Sequence, residues 1–219
     1  SGEGLRGVSA GETAIATCGM DGYGLNYRGY DILDLAQHAS FEEVAYLLLY
    51  GELPNNQTLT EYRQQLKKLR EVPSELLAVL ERIPSNAHPM DVMRTGCSML
   101  GTLEPETSFS TQLDTANRIM SVFPGILMYW HHFSSNGKRI STSTNEESLA
   151  GHFLNLLHGD SPDDLHKRGM DVSLILYAEH EFNASTFTAR VCAATLSDLY
   201  SAVTGAIGTL RGPLHGGAN

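Results

Sequence analysis

The sequence predicts an all-α protein with a minor N-terminal β-hairpin. From Asp31 onward, apolar residues recur at helical spacing almost throughout. Start and stop signals bracket those runs. Strand-like patterning is confined to the first thirty residues, where "ETAIATC" (12–18) and "GLNYRG" (24–29) flank the glycine-rich turn "GMDGYG". The glycines of that turn do not match a dinucleotide fingerprint, and no β-α-β unit surrounds them.

The helices follow in order. "SFEEVAYLLLYG" opens with Ser40 and Glu43 as a capping box and stops at Gly51. "TLTEYRQQLKKLR" places Leu59, Tyr62, Leu66 and Leu69 on one face. "PSELLAVLERI" carries Pro73 in its first turn, and "HPMDVMRTGCSML" follows another proline. "TQLDTANRIMSVFPGILMYWHHF" is long, and Pro124-Gly125 is expected to kink or divide it. "NEESLAGHFLNLLHG" is amphipathic and ends at Gly159, and the next helix starts with Ser161 as its N-cap and acids in its first turn. A last helix from about Ser185 to Leu210 is rich in small residues, which suits a tightly packed central helix or a subunit interface.

With 219 residues and 42% hydrophobic content, the chain is long and apolar enough for a real core. A net charge of -10 argues against a nucleic-acid surface. Three scattered cysteines, Cys18, Cys97 and Cys192, suit reduced thiols in a cytoplasm-like compartment, and Cys97 and Cys192 read as small buried hydrophobes. "SGEGLRG" lacks a signal-peptide pattern, and the apolar stretch 191–210 is interrupted by Ser197, Asp198 and Tyr200, so no membrane span is expected.

Metal chemistry finds no support in the nine histidines. His180-Glu181 fails the H-E-x-x-H pattern, and neither His131-His132 nor His152 and His158 share a helix face. "SNGK" (135–138) has S-x-x-K spacing but is expected in a loop without companion motifs, and "GAIGTLRG" lacks the G-K-[ST] of a phosphate loop.

Two histidines remain. His180 is expected near the C-terminal end of one helix and His215 just past the next, and each has a bland account. His180 suits the negative end of a helix dipole, and His215 suits a glycine turn. A functional account starts from Pro213 in the first turn of a new helix, whose positive end favours a neutral imidazole beside it. A neutral ring can donate to a carbonyl that becomes an enolate, and Gly212, Gly216 and Gly217 would let ligand and backbone approach.

The motifs "YRGYDI", "HPMDVMRTG", "YAEHEFNASTFTAR" and "GPLHGGAN", in this order and spacing, resemble the citrate synthase family over nearly the whole chain. The wording "NYRGYDILDLA" and "SNAHPMDVMRTG" is most similar to the branch that condenses propionyl-CoA with oxaloacetate. The resemblance implies a multi-helical large domain, with residues 1–219 supplying most of it and the family's small domain lying beyond Asn219. It implies that His215 polarises the thioester carbonyl, that His180 and Asn183 hold oxaloacetate, and that Ser185 orients the His215 ring. It implies a homodimer, propionyl-CoA or acetyl-CoA as the acyl donor, and no cofactor or metal, since the CoA thioester is itself a substrate. The family's carboxylate base and second histidine have no match here, so residues 1–219 alone are not expected to turn over. Citrate synthase proper, a non-catalytic helical binding or dimerisation module, and a helical metalloenzyme are the rival readings. Cytoplasm is the expected compartment, and a mitochondrial matrix protein would read identically.

Overall fold

Residues 7–19 and 24–218 are described by a computed structural model of the protein. The N-terminal β element is larger than one hairpin. Strands β1 (Ala16–Thr17) and β2 (Asn26–Tyr27) pair antiparallel, with Ala16 opposite Tyr27, and β2 pairs again with β3 (Tyr30–Asp31). The second turn is Arg28-Gly29, both at positive φ (44° and 88°), the twist a two-residue hairpin requires. Most of "GMDGYG", residues 20–23, lies outside the described residues.

Ten helices follow among the described residues: α1 (Ile32–His38), α2 (Phe41–Tyr50), α3 (Asn56–Lys68), α4 (Ser74–Leu80), α5 (Pro89–Leu103), α6 (Gln112–Asn136), α7 (Leu149–His158), α8 (Asp164–Leu176), α9 (Ala184–Ala194) and α10 (Leu199–Leu210). The capping box of Ser40 and Glu43 forms, and Gly51 and Gly159 end α2 and α7 in the left-handed conformation. None of these helices is long and apolar enough to cross a membrane.

Local competition moves several boundaries from their sequence expectations. Pro73 is the N-cap residue of α4 and sits just outside its first turn. Asp163 caps α8 by accepting from His166 N at 2.8 Å, while the Ser161 hydroxyl turns instead to Glu146. Ser135 and Asn136 belong to the last turn of α6, so "SNGK" starts inside a helix rather than in a loop. Pro124 does not divide α6, which stays continuous because Ile119 and Val122 before it and Ile126, Tyr129 and Trp130 after it share one core. The expected last helix is two helices. Leu196 takes φ 64° and Asp198 caps α10 through Ser201 N (2.9 Å), so α9 and α10 fold back on each other.

The principal core gathers α4, α5, α6 and α10 around Leu76, Val92, Leu100, Val122, Ile126 and Tyr200. Gly96 sets how closely α5 and α6 cross, because a Cβ there would lie 2.6 Å from Ile126 Cγ2. Gly96→Ala is expected to lower stability by about 1–2 kcal/mol in urea titrations, as overpacking outweighs the gain in helix propensity. Gly169→Ala, in α8 with open space around it, should instead gain about 0.5–1 kcal/mol. Equal effects at the two sites would contradict this packing account.

Polar side chains splice the remaining helices. Asp171 of α8 accepts from Phe41 N at the start of α2 (3.0 Å), and Glu42 of α2 accepts from Leu149 N at the start of α7 (2.7 Å). Burial pushes both carboxyls above the usual range. Buried Arg70 donates to the carbonyls of Glu146 (2.5 Å) and Ser148 (3.3 Å), tying the 141–148 connection to the segment just after α3. Cys97 is fully buried as expected, whereas Cys192 is only half-buried because no residue of α9 is buried.

Candidate active site

The fold-back of α9 on α10 brings distant motifs together. The helices meet through Thr188 and Thr209, whose hydroxyls are 2.8 Å apart, so the end of α10 returns beside the start of α9. Beyond α10 the chain turns sharply. His215 N (3.0 Å) and Gly217 N (3.2 Å) both donate to Gly212 O, and a 3-10 turn covers Gly216–Ala218. No helix starts at Pro213, so the positive helix end expected beside His215 is not there.

That role falls to α9. The His215 Nε2 lies 3.0 Å from Ser185 Oγ, and Ser185 N–H points at the same nitrogen at 3.4 Å. Ser185 sits in the first turn of α9, whose N-cap is Asn183. The Asn183 Oδ1 accepts from Thr186 N (2.9 Å) and from the Ser185 hydroxyl (2.7 Å). Its amide nitrogen is therefore turned away from the cap. One hydroxyl proton on Ser185 thus faces two acceptors, Asn183 Oδ1 and His215 Nε2. His215 is partly buried and held by one edge, which leaves Nδ1 as the nitrogen able to meet a ligand.

The glycines around His215 serve the turn itself. A Cβ at Gly216 would lie 2.4 Å from Leu210 Cδ1, and one at Gly217 would lie 2.4 Å from Arg211 O. Close packing of the turn on the end of α10 requires both, so they do not open space for a ligand.

His180 is not on a helix. The helix α8 ends at Leu176 with Tyr177 as its C-cap, and His180 lies exposed in the connection 177–183, three residues before the cap of α9. The structure therefore removes the helix-dipole account of His180 and places the residue on the same short segment as Asn183. His215 reaches the start of α9 through Ser185.

A cavity of about 710 Å³ lies elsewhere, lined by Arg63, Thr144, Glu146, Asn155, Ser161 and Lys167. Lys167 and Glu146 pair within it at 3.1 Å, and it holds none of the motif histidines. The open start of α9 has the better chemistry. Among the described residues, no group of three His, Cys, Asp or Glu side chains could hold a metal ion.

Comparison with known proteins shows the family. A family model described as "Citrate synthase, C-terminal domain" matches residues 4–219. The chain belongs to the citrate synthase family. It is 65% identical to the 2-methylcitrate synthase of Shewanella oneidensis over 219 residues, covering 100% of this chain and 58% of that protein. It is 42% identical to citrate synthase 2 of Bacillus subtilis, covering 99% of this chain and 58% of that protein. The fold superposes on the citrate synthase of Thermoplasma acidophilum, solved as a ternary complex with carboxymethyl coenzyme A and oxaloacetate. The TM-score is 0.91 at 30% identity, covering 98% of this chain and 57% of that one. The chain thus spans a little over half the length of the relatives it matches. The fold, mostly helical with a small three-stranded sheet, is thus that of a citrate synthase.

Sequence reasoning missed Tyr27 and Glu181, which touch the His180 segment from the β element and from within it. Their partners are 148 and 163 residues away, beyond any periodic signal. The motif "YRGYDI" marked Tyr27 as part of the family's wording without giving it a task.

Proposed function

We propose that this chain supplies most of the large domain of an enzyme that condenses an acyl-CoA, propionyl-CoA by preference, with oxaloacetate and water to give 2-methylcitrate and CoA. The carrying observation is the contact of His215 Nε2 with Ser185 at the start of α9. A ring held by Nε2 offers Nδ1–H to a thioester carbonyl, where negative charge develops as the α-proton leaves. The donor state is reached when the Ser185 hydroxyl donates its hydrogen bond to Nε2, so that Nε2 accepts and the ring proton resides on Nδ1. Ser185 orients the ring, and His215 stabilises the enolate.

The electrophile belongs at the same helix end. The first amides of α9 favour a carboxylate, and Asn183, its oxygen already used as the cap, has its amide nitrogen to give. His180 stands exposed beside them as a further donor to oxaloacetate. The remaining length of the relatives provides the small domain and the base that removes the α-proton. Closure between the domains keeps water from quenching the enolate. The three free thiols suit a cytoplasmic setting, and the small-residue α10 suits a homodimer.

The test replaces the matched part of the S. oneidensis 2-methylcitrate synthase with this chain and follows CoA thiol release. Oxaloacetate-dependent release should be faster from propionyl-CoA than from acetyl-CoA. A strong acetyl preference would overturn the methylcitrate reading in favour of citrate synthase proper, which the B. subtilis relative represents. Binding or dimerisation with release from neither ester would overturn the condensing reading altogether.

A further inference from the structure

We infer that Tyr27 and Glu181 are positioning residues that hold His180 at the mouth of the site, an inference that rests on the reading of His180 as a ligand of oxaloacetate. His180 lies in an irregular connection with its own side chain exposed. Neither neighbouring helix includes it, so its placement depends on what fixes residues 179 and 181.

Both are fixed by the N-terminal β element. The Tyr27 ring is wholly buried, and its hydroxyl sits in the turn that follows α8. The hydroxyl lies 2.9 Å from Ile175 O, 3.4 Å from Leu176 O and 3.3 Å from Glu179 O, and Glu179 N–H points at it from 3.3 Å. With one proton, the hydroxyl donates to Ile175 O, the nearest, and accepts from Glu179 N. It thereby caps α8 and anchors the residue before His180.

Glu181 anchors the residue after it. Its carboxylate accepts from Cys18 N at 2.9 Å, across 163 positions of sequence. Its backbone takes φ 56°, a left-handed conformation that a non-glycine residue seldom adopts. Strain of that kind persists where surrounding contacts impose it, and here the Cys18 contact does so. Phe182 is held as well, its ring under the Arg190 guanidinium at 4.8 Å. His180 is therefore bracketed by two anchored neighbours, and its own ring is left to the ligand.

The experiment uses the 219-residue chain with isotopically labelled histidine and reads the His180 and His215 ring resonances. Glu181→Ala should shift and broaden the His180 resonance and speed exchange of the Cys18 amide on the order of ten-fold. Glu181→Gln, which keeps an acceptor for Cys18 N, should restore both. Tyr27→Phe keeps the ring packing and should move His180 again, now with faster exchange at Glu179. The His215 resonance should stay in place in all three variants. An unchanged His180 resonance in Glu181→Ala and Tyr27→Phe would overturn the inference. So would a failure of Glu181→Gln to restore it, because a merely structural role would not separate Gln from Ala at one ring. Oxaloacetate titrated into each protein should perturb His180, with affinity several-fold weaker in Glu181→Ala. If oxaloacetate leaves His180 unmoved in the parent chain while the variants still shift the ring, the ligand reading falls and the positioning stands.

Discussion

Replacing His215 with alanine is expected to lower kcat for oxaloacetate-dependent thiol release by about 10²–10³, the range for losing one preorganised donor to a developing oxyanion. The measurement belongs in the chimeric enzyme carrying this chain. The loss should appear in kcat and kcat/KM together, with KM for oxaloacetate little changed, because a donor to the enolate acts mainly in the transition state. The substitution reads chemistry rather than folding. The turn around His215 is closed by backbone bonds to Gly212 O, which an alanine keeps, and the neighbouring Leu214 is fully exposed. Alanine does remove the ring from Ser185, whose hydroxyl can then settle wholly on Asn183 Oδ1 at 2.7 Å. The N-cap of α9, and with it the seat proposed for the diacid, stays formed. Full retained activity in His215→Ala would remove this residue from the mechanism.

What the sequence made legible divides along the range of the forces involved. Caps act over three or four residues, so Ser40 with Glu43, Gly51 and Gly159 could be placed by reading alone. Where two local signals compete, a distant partner decides. Ser161 and Asp163 were both able to cap α8, and Ser161 lost because Glu146 draws its hydroxyl away. The break at Leu196 had a local signal in Asp198 and Ser201, but the apolar run across it hid the stop. His180 was expected at a helix end for want of a long-range fact, namely that the Tyr27 hydroxyl ends α8 early. The site motifs were found by their resemblance to a family. The 3.0 Å contact between His215 and Ser185 joins residues 30 positions apart and is a property of the α9–α10 fold-back. Helical periodicity does not show that fold-back.

The protein is expected to lose stability on acidification through His152, and the sign follows from its surroundings. His152 is fully buried in α7 with Nδ1 2.8 Å from Thr144 Oγ1 and, among the described residues, no partner for Nε2. Burial, reinforced by the Arg70 guanidinium and only partly opposed by Glu146, pushes its pKa down to about 3. An unfolded chain returns the ring to its ordinary value near 6.5. Below that value the unfolded state binds a proton the folded state refuses, so stability is fully present above pH 6.5 and is lost as pH falls towards about 3. Each pH unit in that window removes up to about 1.4 kcal/mol, so about 2 kcal/mol is gone between pH 7 and pH 5. That is a large share of the 5–15 kcal/mol typical of a folded domain. His152→Gln carries no titrating ring and can still meet the Thr144 hydroxyl. The difference in urea-unfolding free energy between parent and variant should therefore shift in the variant's favour by about 2 kcal/mol from pH 7 to pH 5. A difference that stays flat across that range would show that the ring is already charged in the fold or that acid enters elsewhere.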